Sequence, residues 1–222
     1  MLYGFTNQLL AGTWVTLQVA LSALVLGIVF GLAGAAGQSA PNAVIRGFTK
    51  TLINIIRGVP ELLVLFFVYF GSTTVLSSVF SHYVAVNAFT AGVFALSLIF
   101  ASYASHTFRG AFLAVGKGQK EAALALGFSK QQTFWHILLP QAWRHALPGL
   151  GNLWLVLLKD TALVSLIGLA DLMSKAQIAS AQTHKPFTFY LAAAVIYLII
   201  TTVSEWLLSL WTRRISIPHQ AH

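Results

Sequence analysis

Residues 121–140 read E-A-A-L-A-L-G-F-S-K-Q-Q-T-F-W-H-I-L-L-P, a polar interruption in an otherwise apolar chain. Glu121 opens a run of high helix propensity with Ala122, Ala123 and Ala125. The run ends at Gly127, where a chain leaving a helix often takes positive φ. The spacing predicts a short helix followed by a turn. Small alanine side chains let another surface approach the helix backbone, and Phe128, Phe134 and Trp135 can anchor the segment that follows. Such a stretch either docks on another protein or only caps a helix bundle, and its place in the chain decides between the two.

The surroundings are those of a membrane protein. Of 222 residues 57% are hydrophobic and 8% charged, with a mean hydropathy of +0.78, whereas soluble domains carry roughly 25% charged residues. With no cysteine, the chain has neither a disulfide framework nor thiol-based metal or redox chemistry. A net charge of +8 would suggest a nucleic-acid partner in a soluble protein. Here the placement of the charges matters more than their sum, and no nucleic acid is expected.

The first charged side chain is Arg46, so the preceding stretch can enter a bilayer without charge cost. It lacks the positive n-region of a signal peptide and reads as an uncleaved span within about 9–37. Gly27 and Gly31 form a G-x-x-x-G pair, followed by Gly34 and Gly37, which would allow close helix crossing. Arg46, Lys50 and Arg57 populate a short loop, and Pro60 suits the first turn of the next helix. Further spans of the roughly 20 residues a crossing needs fall at about 61–80, 87–108, 152–170 and 189–211. Between the third and fourth lies a basic connector, about 109–150, that carries the opening stretch. Arg46, Lys50, Arg57, Arg109, Lys117, Lys120, Lys130, Arg144, Arg213 and Arg214 fall on one side, Lys175 and Lys185 on the other, and Lys159 within a span. The positive-inside bias places the connector and the C-terminus in the cytoplasm and the N-terminus outside.

A cytoplasmic stretch with Glu121-Ala122-Ala123, Gly127, Ile137 and Pro140 at these spacings resembles the coupling loop of permease subunits of ABC importers. Other blocks are similar to the polar amino-acid branch of that family. They are Ile56-Arg57-Gly58-Val59-Pro60-Glu61, Tyr103-Ala104-Ser105 with Arg109-Gly110-Ala111, Trp143 to Asn152, and Leu157 to Ser165. Within the branch the chain looks most like the arginine-import permeases, and next like those for histidine, lysine and ornithine. The resemblance implies one all-α transmembrane domain over residues 1–222, with five spans, a cytoplasmic coupling helix and the type I importer permease fold. It implies a bacterial inner-membrane location, a second permease subunit, identical or related, a dimer of ATP-binding subunits, and an external amino-acid-binding protein. It also implies that Glu121, Ala122, Ala123, Gly127, Ile137 and Pro140 couple the permease to its ATPase. ATP and magnesium would belong to the partner, with no cofactor in this chain. A stand-alone channel or ion-coupled secondary transporter for a polar solute is the competing class, and it would need no docking helix.

The residues offer no catalytic constellation of their own. In Gly110 to Gly118 the spacing is wrong for a phosphate loop, and Gly118 stands where Ser or Thr should hold magnesium. Gly149-Leu150-Gly151 lacks a preceding strand and a third glycine, so it reads as a helix break. His136 and His145 lack zinc-motif spacing and an acidic companion, and no metal site is expected. The charges at membrane depth remain. Lys159 and Asp160 each cost at least ~2.5 kcal/mol facing lipid, and as helix neighbours they point about 100° apart, so each needs its own partner. Asp160 is the candidate for receiving a cationic side chain on the translocation path, unless Thr161 and Ser165 satisfy it. Glu61 is a second candidate, unless Arg57 four residues earlier pairs with it. Lys159 and Glu205 sit at similar depth on consecutive spans and form a candidate buried pair, against the alternative that each reaches for its own helix end or for water.

Overall fold

The structure, a computed structural model, describes the backbone of residues 4–215 and the side chains as far as Thr212. Arg213 and Arg214 therefore lie, as side chains, outside the described residues. In order the helices are α1 (Thr6–Gln38), α2 (Ala43–Gly58), α3 (Glu61–Phe80), α4 (Ala88–Ala114), α5 (Lys117–Ala125), α6 (Lys130–Gln132), a π-helical turn (Thr133–Leu138), α7 (Leu139–Asp160), a 3₁₀ segment (Thr161–Ile167), α8 (Leu172–Thr183) and α9 (Pro186–Ile215). Among the described residues five helical stretches are long and apolar enough to cross a membrane: Thr6–Gln38, Glu61–Phe80, Ala88–Ala114, Lys130–Ile167 and Pro186–Thr212. Helices satisfy their backbone hydrogen bonds internally, as the hydrocarbon core demands.

α4 is the centre of the bundle. Of its span 67% is buried, against 11% for α3 and for α9. It runs parallel to α1, because Gly27, Gly31 and Gly34 meet Phe100, Ala104 and Ser105 in the same order. A Cβ on Gly27 would lie 2.6 Å from the Phe100 ring, and Cβ atoms on Gly31 and Gly34 would lie 3.0 Å from those of Ala104 and Ser105. The glycine stripe thus serves the close crossing expected of it. A smaller cluster, Leu9, Leu172, Ala176, Ala179, Phe189 and Ala193, ties the start of α1 to α8 and α9 at the other end. There Gly12 lies under Asp171, where a Cβ would come 2.8 Å from the Asp171 carbonyl oxygen.

Four sequence expectations change. The short loop holding Arg46, Lys50 and Arg57 is the helix α2, which Asn42 starts by accepting the Val44 N–H at 2.8 Å. The connector at 109–150 is largely helical. α4 continues to Ala114, and the fourth crossing helix begins far before Asn152, within the stretch Lys130–Ile167. Gly149 and Gly151 do not break a helix. They lie inside α7, where a Cβ on Gly149 would sit 2.7 Å from Thr107 Cγ2, so the glycine serves close approach to α4. Finally, the α-helix of the fourth crossing stops at Asp160 and tightens to 3₁₀. The Thr161 and Ser165 hydroxyls there donate back to the Leu158 and Ala162 carbonyls at 2.6 and 2.8 Å. The π-helical turn just before Pro140 has a related cause. A proline ring crowds the carbonyl four residues back, that of His136, and a wider turn relieves it.

Gly12→Ala should destabilise the purified protein by about 1–3 kcal/mol, because rigid backbone must move aside. In contrast Gly47→Ala, in open space within α2, should be neutral or stabilise by up to about 1 kcal/mol. Thermal unfolding of the two variants in one detergent makes the comparison.

Candidate functional site

The coupling stretch forms a compact docking feature. α5 starts at Lys117, one turn before Glu121, and closes with Gly127 at φ +86°. The Phe128 N–H returns to the Ala123 carbonyl and the Gly127 N–H to the Leu124 carbonyl, both at 3.1 Å. This paired closure needs a residue that tolerates the left-handed region. Ser129 and Gln132 then cap α6 reciprocally, so the chain turns within a few residues. Of α5 only Ala123 is buried. Glu121 and Ala122 are exposed, and so are Leu124, Leu126 (78%) and Phe128.

Behind this face the chain is stiff. Phe134 of the π-helical turn stacks on Phe112 of α4 at 5.9 Å, and Trp143 of α7 stacks on Phe108 of α4 at 6.2 Å. Gln141 donates to the Ile137 carbonyl at 3.0 Å and reaches Gln119 of α5 at 3.4 Å. Ile137 is half-buried and Pro140 exposed. His136 bonds the Gln132 carbonyl through Nδ1 at 3.1 Å, as a satisfied interfacial histidine would. α5 is therefore linked to the two helices that carry the deeper polar groups.

Those groups converge beside α4. Asp160, the last residue of α7, lines a small crevice with Ile99, Phe100, Tyr103, Leu153, Val156 and Leu157. A carboxylate at a helix C-terminus is disfavoured by the macrodipole, so its position has no helix-level rationale. Its hydroxyl neighbours do not satisfy it, since Thr161 and Ser165 donate to backbone carbonyls instead. The charges acting on it are those of Glu61 and Lys159. Glu61 opens α3, half-buried, and is not paired with Arg57. Val59 and Pro60 separate α2 from α3, so the two residues do not share a helix face. The Arg57 guanidinium lies instead over the Tyr103 ring, 5.0 Å from its centroid. Tyr103 thus touches both the crevice of Asp160 and the cation of Arg57.

Lys159 and Glu205 form no ion pair. Lys159 is exposed and lines a cavity of about 540 Å³ with Tyr190, Tyr197, Leu198 and Thr201 of α9. Glu205 stands one turn beyond Thr201 and is exposed. The expected equal depth fails, because the fourth crossing helix begins well before Asn152: Trp154 is the residue level with Ser204 and Leu208, and Lys159 lies about a turn and a half further along, level with Leu198 and Thr201.

Asp171 carried no signal in the sequence beyond being an acid ahead of a short polar helix. It is fully buried, caps α8 by accepting the Ser174 N–H at 2.9 Å, and leaves Oδ2 without a partner among the described residues. Beside it the Leu172 N–H donates to Thr16 Oγ1 at 3.1 Å, joining α8 to α1. Burial pushes the Asp171 carboxyl up to about 6, against the opposing pull of its backbone hydrogen bonds. An acid raised in the folded state keeps a proton that the unfolded chain has lost. Stability should therefore fall as pH rises from about 4 to about 6, by ~3 kcal/mol at full size, and then level off. Asp171→Asn keeps a capping side chain and should flatten the pH profile of the unfolding midpoint.

Residues 10–217 match the family model described as the binding-protein-dependent transport system inner membrane component. The arginine ABC transporter permease protein ArtQ of Haemophilus influenzae is 47% identical over 205 residues, covering 92% of each chain. The histidine/lysine/arginine/ornithine transport system permease protein HisQ of Escherichia coli is 42% identical over 221 residues, 98% of this chain and 97% of that one. Among solved structures, an amino acid ABC transporter crystallised with histidines gives a TM-score of 0.83 at 35% identity, covering 95% of both chains. The MetNI methionine transporter, at 19% identity and a TM-score of 0.78, shares the fold.

Proposed function

Because the chain belongs to the family of binding-protein-dependent transport system inner membrane components, we propose that it is the permease subunit of an ATP-driven importer for L-arginine or a related cationic amino acid. The observation that carries this reading is α5, a surface helix that exposes Glu121, Ala122 and Leu124 and is closed by Gly127 at positive φ. It lies at the end of the bundle where the basic residues gather. A channel or ion-coupled carrier has no use for such a helix.

In this reading two ATP-binding subunits hold ATP and magnesium, and a cleft in each receives α5. Their closure pushes α5, and the stacks Phe112–Phe134 and Phe108–Trp143 pass the displacement to α4 and α7. Those helices carry Tyr103 and Asp160, so the crevice between them changes with the nucleotide state. A second permease subunit completes the pore, and a binding protein delivers substrate from outside. The N-terminus lies outside and the C-terminus inside, supported by the gathering of Lys and Arg at one end. Asp160 and Glu61 supply negative charge on the path. A guanidinium pairs with a carboxylate through two parallel hydrogen bonds, which favours arginine by shape as well as charge.

Two variants test this in proteoliposomes at equal protein abundance. Gly127→Val places a β-branched residue where φ is +86° and should lower uptake at least ~10-fold, with the spans still inserted. Parental uptake in that variant would remove the coupling role. Asp160→Asn should lower arginine uptake by about 10- to 100-fold, the size of a lost charge-assisted hydrogen bond, while binding-protein-stimulated ATPase activity persists. Unchanged uptake would exclude direct contact between Asp160 and substrate.

A further inference from the structure

α2 is the strongest amphipathic feature of the chain that transport does not employ. At about 100° per residue, Val44, Ile55, Phe48, Leu52 and Ile45 fall in one stripe about 100° wide, while Arg46, Arg57 and Lys50 cluster within about 40° on the opposite side. All five apolar side chains are exposed, Phe48 at 69% and Val44 at 78%. The helix is held from a third side, where Thr49 and Ile53 lie against Gly37 and Gly34 of α1. Its level is therefore that of the Gln38 end of α1, where Gln38 donates to Ser105 of α4 at 3.1 Å. This is the end of the bundle that carries α5.

We propose that α2 is an interfacial helix whose apolar stripe lies in the headgroup–acyl boundary of the inner leaflet, with Lys50 toward anionic lipid phosphates, while Arg57 lies over Tyr103 and Arg46 donates to the Ala40 and Pro41 carbonyls at 2.8 and 3.2 Å. The inference rests on the cytoplasmic placement of this end given above. Charge favours lipid over a second copy of the chain. No acidic residue precedes Glu61, so the segment through α2 carries only positive charge, which anionic lipid complements and the same segment of a second copy does not. Position favours it too. α2 joins two membrane-spanning helices, and the next exposed apolar side chains along the chain are Leu63 and Phe67 of α3. A basic helix with one apolar face at a membrane boundary binds by burial plus attraction to anionic headgroups.

The chain has no cysteine, so single-cysteine variants of the whole transporter complex take a dye at one place. Phe48→Cys, Leu52→Cys and Lys50→Cys, labelled with an environment-sensitive fluorophore, are reconstituted into phosphatidylcholine vesicles with or without phosphatidylglycerol, each with and without lipids bearing a shallow spin-label quencher. The dye at positions 48 and 52 should be quenched about twofold or more by the labelled lipid, more strongly when phosphatidylglycerol is present, and the dye at 50 much less. Charge reversal by Lys50→Glu in the Phe48→Cys background should remove the dependence on phosphatidylglycerol. Equal access of aqueous iodide to positions 48 and 50 would overturn the proposal. Oxidative crosslinking of Phe48→Cys to a second permease or an ATP-binding subunit would also overturn it, and would name the true occupant. Arginine uptake by the same vesicles reports separately on the permease reading: uptake without lipid quenching sinks the lipid contact alone, and quenching without uptake supports the contact while counting against the transport role.

Discussion

α1 and α4 approach so closely that side chains larger than hydrogen do not fit at the crossing, and the rest of the bundle is placed by that contact. Gly27 lies under Phe100, and Gly31 and Gly34 lie against Ala104 and Ser105. In a bilayer the hydrophobic effect does not press helices together, because lipid tails are as apolar as leucine. Close packing of small residues must supply the attraction. Once α4 is held at the centre, α7 packs on its other side, again through a glycine, Gly149 against Thr107. α3 and α9 remain at the periphery with most of their surface uncovered. The same parallel contact sets α2 at the level of Tyr103, where Arg57 finds an aromatic face instead of a carboxylate.

That central helix also connects the two functional ends. Aromatic stacks join its C-terminal half to the π-helical turn and to α7, and its middle forms one wall of the crevice at Asp160. Rigid aromatic contacts and a helix closed by a left-handed glycine move as a unit better than a flexible loop would. This gives a physical basis for force applied at α5 to reach a carboxylate deep in the bundle. The irregular backbone falls where such motion would be used. A π-helical turn precedes α7 and a 3₁₀ segment follows it, so α7 is bounded at both ends by turns of different pitch.

The polar groups of the interior divide by how well they are satisfied. Most hydroxyls on the helices donate to carbonyls of their own helix and are neutral structural elements, as Thr161 and Ser165 are. Asp171 is half satisfied. It caps α8 with one oxygen and buries the other without a partner among the described residues, so its proton is linked to folding. Asp160 is set against its own helix dipole and has Glu61 within electrostatic reach, an arrangement that costs stability unless a cation completes it. The last of these is what a path for a cationic solute requires, negative charge that the solute itself can balance.

Much of this was legible in the residues themselves. Five apolar stretches with few charges, the gathering of Lys and Arg at their ends, the glycine stripe of α1 and the closure of α5 at Gly127 are local properties. Hydropathy and backbone preference are each decided within one helix or one turn, and they held. What depended on neighbours did not follow from the chain. In α2 the 3.6-residue apolar period is interleaved with three basic residues in a stretch between two spans, as a loop would be, and in α7 Gly149 and Gly151 suggest a break unless the Thr107 side chain that needs the space is known. Lys159 and Glu205 were expected at one depth, yet the early start of the fourth crossing helix sets Glu205 level with Trp154 and Lys159 against Leu198 and Thr201. Arg57 and Glu61 are four residues apart, yet a proline boundary puts them on separate helices and Arg57 lies over Tyr103. Composition and spacing determined which segments are apolar enough to enter the membrane, because that follows from transfer free energy summed along the chain. Which side chains meet inside was settled only by the tertiary structure, because rotation and register between helices arise from packing and have no local code.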